Sequence, residues 1–327
     1  EDKRRNLANV RSGEYEGLKK KINSKDWKPD FGKEFNKKSG ATAIGVRDFL
    51  IAYNINLNTK STRLANAIAF DVREKGRIKR EGHPVIGEIV YDKDGNPETI
   101  HGSLKHVKAI GWYIEEFGIT QISMNLTNIT ETPIHTVFEE VSKKAQNRGA
   151  RVTGSELVGL IPLNSILDAG KYFLKKQNRS LGIPESDIIK IAVESLGLSQ
   201  VKDFEPEKNI IEYYLDRITN KGNKLVDLTV REFSDEVFRE SPAPGGGSVS
   251  SYVGSLGTSL AGMVANLSCN TRGWEDKVDT FSDIAYNINK IREELLFLVD
   301  EDSNAFNKIM NAYKLPKNND KESKARL

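Results

Sequence analysis

Phe49-Leu50-Ile51-Ala52-Tyr53-Asn54-Ile55-Asn56-Leu57-Asn58 is the stretch whose reading decides the fold. Phe49, Ile51, Tyr53, Ile55 and Leu57 alternate with Leu50, Ala52, Asn54, Asn56 and Asn58, and a period of two is that of a strand whose faces meet different surroundings. Working outward, Thr59 or Ser61 can cap a helix that carries Leu64, Ile68 and Val72 and stops at Gly76. Asp94-Gly95-Asn96-Pro97, between two short β-prone runs, marks a hairpin excursion over residues 82–103. Strands are expected over residues 107–114 and 119–127, with Gly118 near their turn. Thr132-Pro133 opens a second helix with Pro at its first position; Val137, Val141 and Ala145 line one face, and Gly149 ends it. A fourth strand is expected at residues 151–153. The order β-α-β-β-α-β predicts an α+β fold with a ferredoxin-like, two-layer βαββαβ sandwich.

Upstream, residues 13–22 read as a short amphipathic helix followed by a turn-rich stretch over 26–40. Downstream, residues 163–215 read as a helical appendage, and residues 216–224 as a polar linker with Asn220, Gly222 and Asn223. From Leu225 onward the pattern is helical only, predicting an all-α bundle whose first helix opens with the capping box Thr229-Val230-Arg231-Glu232.

The 327 residues suit about two domains. A net charge of +3, from 49 basic and 46 acidic residues, leaves no footprint for nucleic acid or a membrane surface. No apolar run approaches the roughly 18 residues needed to span a bilayer. The single cysteine, Cys269, excludes an internal disulfide and fits a reducing, cytoplasmic setting. Glu1-Asp2-Lys3-Arg4-Arg5 has neither an initiator Met nor an apolar signal core, and residues 321–327 have mid-helix character, so the chain reads as an interior piece of a longer protein.

Several clusters could carry chemistry. The first strand puts Asn54, Asn56 and Asn58 on one face; the third puts Gln121, Ser123, Asn125 and Thr127 on one face. In the expected sheet these strands are neighbours, with their polar faces together on the open side. Asn is a poor strand former, so three in alternation need a reason. One reading is a solvated face; the other is a ligand or subdomain surface rich in amide groups. Ser39-Gly40-Ala41-Thr42 and Gly45 flank Lys37, Lys38 and Arg47, a setting for an acidic ligand or a plain turn with a charged rim. Gly245-Gly246-Gly247-Ser248 follows Pro242 and Pro244 and opens a long helix. Ser248 is a candidate cap, and free N–H groups there could bind an anion. It is not a Walker loop, because no Gly-Lys-Ser/Thr follows. Gly254, Gly257, Ala261, Gly262 and Ala265 form a small-residue stripe suited to close helix packing.

Phe281, Ile284, Ile288, Ile291, Leu295 and Leu298 run at heptad spacing, and Phe306 and Ile309 continue the face. The seam position between them is Asp302. A carboxylate where an apolar residue belongs suits general acid/base work, its pKa raised by burial unless a cation or hydrogen bonds oppose it. The plainer reading pairs it with a neighbouring Arg or hydroxyl. Asp300 and Glu301 fall off the seam and are expected to be solvated. His83, His101, His106 and His135 form no spaced metal or triad motif; His135, in the first turn of a helix, is expected to be neutral and hydrogen-bonded. No metal site is expected.

Arg11-Ser12-Gly13-Glu14-Tyr15-Glu16-Gly17-Leu18, Trp27-Lys28-Pro29-Asp30-Phe31-Gly32, Ser39-Gly40-Ala41-Thr42, the alternating stretch 49–58 and Leu157-Val158-Gly159-Leu160-Ile161-Pro162-Leu163 resemble glutamate formiminotransferase. Ser241-Pro242-Ala243-Pro244-Gly245-Gly246-Gly247-Ser248-Val249 and Leu315-Pro316-Lys317-Asn318 resemble a cyclodeaminase. Together, in this order, they resemble the bifunctional formiminotransferase-cyclodeaminase family over essentially the whole chain.

The resemblance implies transfer of a formimino group from N-formimino-glutamate to tetrahydrofolate, the co-substrate. It further implies closure of 5-formimino-tetrahydrofolate to 5,10-methenyl-tetrahydrofolate with loss of ammonia, in histidine breakdown. It puts a folate-binding segment on Gly32, Lys33, Glu34, Phe35, Asn36, Lys37, Lys38, Ser39 and Gly40, where this chain is more basic and one residue shorter than the family. Arg47, Asn54, Asn56, Asn58, Ser123 and Asn125 are candidates for a substrate surface. The family's cyclodeaminase carboxylate falls on Asp302, the residue the heptad pattern isolates. The transferase catalytic His belongs to an N-terminal subdomain of which residues 1–49 are the end, so the 327 residues alone are expected to be inactive. Residues 50–215 would then be the C-terminal transferase subdomain, 216–225 a linker and 226–327 part of the cyclodeaminase. The expected partners are folate polyglutamate, formimino-glutamate and further copies of the chain in a homo-oligomer. The rivals are a non-enzymatic folate-binding or assembly module, and a cyclodeaminase with a degenerate transferase half.

Overall fold

The computed structural model describes residue 4 and residues 7–32, 34–83, 86–219 and 224–316. The chain divides into two compact units, Glu1–Asp48 and Phe49–Leu327. In the first, α1 (Leu7–Arg11) is followed by α2 (Glu14–Ile22). The Lys21 ammonium holds these together: it donates to the carbonyls of Asn9, Val10 and Ser12 at the end of α1 and lies 4.1 Å from the centre of the Trp27 ring. A cation there meets the negative end of the short helix.

In the second unit the alternating stretch forms β1 (Ile51–Leu57), and Ser61 caps α3 (Thr62–Val72) by accepting the Leu64 N–H at 3.2 Å. An excursion of short ladders follows: β2 (Arg77–Ile78), β3 (Arg80–Glu81), β4 (Glu88–Ile89) and β5 (Thr99–Ile100), with β2 paired to β5 and β3 to β4. It starts earlier than the expected residue 82. Its tip is made by Asp92, whose Oδ1 accepts the N–H groups of Asp94 and Asn96. Then come β6 (Val107–Ile114), β7 (Ile119–Leu126), α4 (Ile134–Asn147) and β8 (Val152–Val158). The sheet order is β6-β7-β1-β8, every neighbouring pair antiparallel. Pro133 is the N-cap of α4 and not its first residue: its ψ of 156° is extended, and its carbonyl takes the first bond of the helix from Val137. β8 is also longer than residues 151–153, because it pairs along most of β1.

Ile51, Tyr53, Ile55 and Leu57 are fully buried on one sheet face, against α3 and α4. Each such aliphatic side chain contributes about 1.5–3 kcal/mol on burial. Beyond β8 run α5 (Leu163–Lys176), α6 (Glu185–Leu196), α7 (Pro206–Asn209) and α8 (Ile211–Thr219). Residues 216–219 belong to α8, so the expected polar linker begins inside a helix; residues 220–223 lie outside the described ones. The chain closes with α9 (Val230–Phe238), opened by the expected capping box, then α10 (Gly246–Ser268) and α11 (Val278–Lys314). The α5–α6 turn ties these last helices to the rest of the unit. The Leu181 N–H donates to Ser282 Oγ at 2.9 Å, and Asn266 donates to the Gly182 carbonyl at 2.8 Å.

Candidate functional site

α10 and α11 pack antiparallel through a row of glycines. A Cβ at Gly262 would lie 3.4 Å from Ile288, and one at Gly254 would lie 3.4 Å from Leu295. The next step along the row brings Gly247 against Asp302, where a Cβ would collide with the carboxylate. Ile288, Leu295 and Asp302 are seven apart, one of the two rows of the expected seam. The other row stays largely open: Ile284, Ile291 and Leu298 are 44%, 51% and 41% exposed. One partner helix covers only one side of an apolar seam. Of the small-residue stripe, Gly254 and Gly262 serve the contact and Ala265 is buried, while a Cβ at Gly257 would meet open space.

Asp302 is half-buried and its Oδ2 accepts the backbone N–H of Ser248 at 2.9 Å. Ser248 is not the cap of α10, as expected from its type; Gly245 is, and Ser248 lies fully buried inside the first turn. Its hydroxyl is 2.7 Å from the Val299 carbonyl, 3.1 Å from Ser303 Oγ and 3.2 Å from Asp302 Oδ2. So the Gly-rich turn and the seam carboxylate, two separate features of the sequence, form one cluster. The anion at the helix start is the protein's own carboxylate, where the positive end of the helix favours it. Asp300, expected to be solvated, accepts the Leu225 N–H at 2.6 Å and anchors the chain ahead of α9.

On the sheet, pairing sets Asn54 opposite Ser123 and Glu156, and Asn56 opposite Gln121 and Gly154. The polar faces are together but not freely open. Asn56 and Gln121 are fully buried and Asn54 is 6% exposed, whereas Ser123 is half-buried and Asn125 exposed. The side chains form a chain of amides. Gln121 Nε2 donates to Asn56 Oδ1 at 2.7 Å and to Glu156 Oε2 at 3.2 Å, Asn54 donates to the same Glu156 oxygen at 3.2 Å, and Asn56 donates to Gln200 Oε1 at 2.7 Å. Asn58 stands apart, its Oδ1 accepting the Arg151 N–H. Gln200 and Glu156 were not singled out from sequence. Gln200 lies 144 residues from Asn56, and no local pattern links them.

In the first unit, Asn36 Oδ1 accepts the N–H groups of Lys38 and Ser39, and Asn36 and Gly40 form an antiparallel bridge. Gly40 has a φ of +68°, and a Cβ there would lie 3.4 Å from Tyr15 and Leu18. Phe35 is half-buried with its ring 5.6 Å from that of Tyr15. Gly32, Glu34, Lys37, Lys38 and Ser39 are exposed, and neither ammonium meets a carboxylate among the described residues. Lys33 lies outside the described residues. Arg47 is exposed, and among the described residues its guanidinium donates to the Asp48 carbonyl.

His135 stacks on Tyr172 with ring centres 4.5 Å apart, and burial pushes its imidazole below the ordinary value, so it is held neutral; its buried Nδ1 has no hydrogen-bond partner among the described residues. Among the described residues no group of three or more His, Cys, Asp or Glu could hold a metal ion, and no helix is long and apolar enough to cross a membrane.

Comparison with known proteins bears on all three regions. A family described as "Formiminotransferase domain, N-terminal subdomain" matches residues 1–47, "Formiminotransferase domain" matches residues 52–216, and "Formiminotransferase-cyclodeaminase" matches residues 229–327. The chain is 39% identical over 328 residues to the formimidoyltransferase-cyclodeaminase of Gallus gallus, covering 100% of this chain and 57% of that protein. To the protein of the same name from Dictyostelium discoideum it is 38% identical over 316 residues, 96% of this chain and 55% of the other. The glutamate formimidoyltransferase of Thermoplasma acidophilum is 36% identical over 193 residues, 58% of this chain and 54% of its own length. The chain thus spans about half the length of the curated relatives it matches.

Proposed function

The chain belongs to the formiminotransferase-cyclodeaminase family, and from that premise we propose a folate-dependent enzyme of two activities. The first moves a formimino group from N-formimino-glutamate to tetrahydrofolate. The second converts 5-formimino-tetrahydrofolate to 5,10-methenyl-tetrahydrofolate and ammonia, in histidine breakdown. The observation that carries the reading is Asp302 of α11, the break in the heptad pattern, whose carboxylate accepts the Ser248 N–H in the first turn of α10; both residues lie in the range with cyclodeaminase likeness.

In the second reaction N10 of the folate attacks the formimino carbon and forms a bond to it. The formimino group enters as its protonated amidinium, so its nitrogen already carries two hydrogens; the N10 proton passes to the Asp302 carboxylate and from there to that nitrogen, which leaves as ammonia as its bond to carbon breaks and the methenyl cation forms. A positioned carboxylate doing both transfers contributes a factor of about 10² to 10⁴.

We read the sheet with α3 and α4 as a ferredoxin-like sandwich, supported by the strand order, and α9 to α11 as the start of an all-α cyclodeaminase. The assigned division is residues 1–49, 50–215, 216–225 and 226–327, consistent with the three matched ranges. Residues 32–40 are assigned to folate, with Lys37 and Lys38 drawing an acidic tail. Ser123 and Asn125 are the more accessible part of the amide-rich face and would meet substrate there. The protein is assigned to the cytoplasm as a homo-oligomer. Exposed Val253, Leu260 and Leu267 on α10 support further apolar contacts.

The test is Asp302→Asn in the full-length protein. Ammonia release is expected to fall by at least about 10²-fold while formimino transfer continues. Ammonia release at the native rate would remove Asp302 from the reaction.

A further inference from the structure

We propose that Gly247 and Ser248 are positioning residues for Asp302: the backbone N–H of Ser248 holds the carboxylate by Oδ2, and the bare Cα of Gly247 leaves room for Oδ1, the oxygen that exchanges the proton. This rests on the reading of Asp302 as the proton carrier.

Oδ2 is the anchored oxygen, at 2.9 Å from the Ser248 nitrogen. The Ser248 hydroxyl has one proton to give, and its shortest contact is the Val299 carbonyl at 2.7 Å. With that proton committed, the Ser303 hydroxyl donates to Ser248 Oγ, and the donor left for Oδ2 is the backbone N–H. Oδ1 has no hydrogen bond among the described residues. A carboxylate pinned through one oxygen presents the other in a fixed direction, and such fixation is a large part of what an enzyme adds to a proton transfer.

Space over Gly247 makes this seat possible. Its φ is not left-handed, so backbone conformation does not require glycine there. What requires it is the carboxylate, whose Oδ1 is the first atom an added Cβ would strike. The two preceding glycines differ: a Cβ at Gly246 would meet nothing within 4 Å, and one at Gly245 would lie 3.9 Å from the Pro242 carbonyl. Of the three, only Gly247 is needed for room.

The experiment compares Gly247→Ala, Gly246→Ala, Asp302→Ala and the Gly247→Ala/Asp302→Ala pair in the full-length protein. Gly247→Ala is expected to lower kcat for ammonia release by about 10²-fold, with KM within roughly threefold of native, because the proton carrier is displaced and the rest of the site is not. Gly246→Ala should cost at least about tenfold less. The Tm of Gly247→Ala should fall by several degrees in the native background. In the Asp302→Ala background the same change should leave Tm level or raise it, since the obstacle is gone and Ala favours a helix over Gly. Native turnover in Gly247→Ala, or an equal Tm loss in both backgrounds, overturns the proposal. Should Asp302→Ala itself release ammonia at the native rate, the catalytic reading fails on that result alone, while the Tm cycle still decides whether Gly247 seats the carboxylate.

Discussion

Lys37 and Lys38 differ from Lys79 and Lys176 in what surrounds them. Lys79 is held by Glu98 and Lys176 by Glu139, and both ammonium groups are pushed above their ordinary range by those hydrogen bonds. Lys37 and Lys38 have no such partner among the described residues and stand on a turn fixed by Asn36. Cations left in water on a stiff turn recognise acid weakly but additively. Removing both is expected to weaken binding of a tetrahydrofolate polyglutamate by up to about 30-fold. The effect should shrink as salt is raised, because exposed charges are screened. Calorimetry on the native and Lys37→Ala/Lys38→Ala proteins at two salt concentrations checks it; equal affinities would take the tail away from this turn. At the same scale the amide chain from Gln200 to Glu156 depends on side chains far apart in sequence, so Asn54 and Asn56 could be marked as unusual but not given partners.

Among the elements, β6 is the instructive one. It is an edge strand, and an open edge leaves backbone groups to be satisfied. Asn66 on α3 does this at Gly111: its Oδ1 accepts the Gly111 N–H at 3.0 Å and its Nδ2 donates to the Gly111 carbonyl at 2.9 Å. The Glu74 N–H donates to the Val107 carbonyl further along the same edge. For the amide to reach, α3 must lie against the strand, and a Cβ at Gly111 would strike the backbone at Ala65 and Asn66. A glycine inside a strand often marks such an approach. Gly111→Ala should destabilise the protein by about 1–3 kcal/mol, measured by urea unfolding. A loss within experimental error would mean that α3 yields without cost.

For the whole molecule, the joint between the helices after β8 and the last helices matters most. Gly182 is buried with no room for a Cβ, which would strike α11 at Ala285 and Tyr286. The same short turn bonds to Ser282 and Asn266, so residues with transferase likeness and residues with cyclodeaminase likeness belong to one compact unit. This unit should unfold in a single transition by calorimetry, and Gly182→Val should split it into two or lower its Tm by several degrees. Two transitions in the native chain would show that the joint carries little energy.

The alternation of residues 49–58, the cap at Thr229, a cap at Thr59 or Ser61 and the seven-residue rhythm of α11 were all legible, because each is a local pattern tied to the period of one element. Asp302 was legible for the same reason, as the break in a rhythm. Local pattern could not say which row of the α11 seam would be covered. That depends on where α10 lies, and Ile284, Ile291 and Leu298 stay exposed. Nor could it turn Ser248 from a cap into a buried seat, or lay Gln200 beside Asn56. Those outcomes were decided by tertiary structure, since a hydrogen-bond partner 54 or 144 residues away is chosen by the packing of whole elements and leaves no period in the chain.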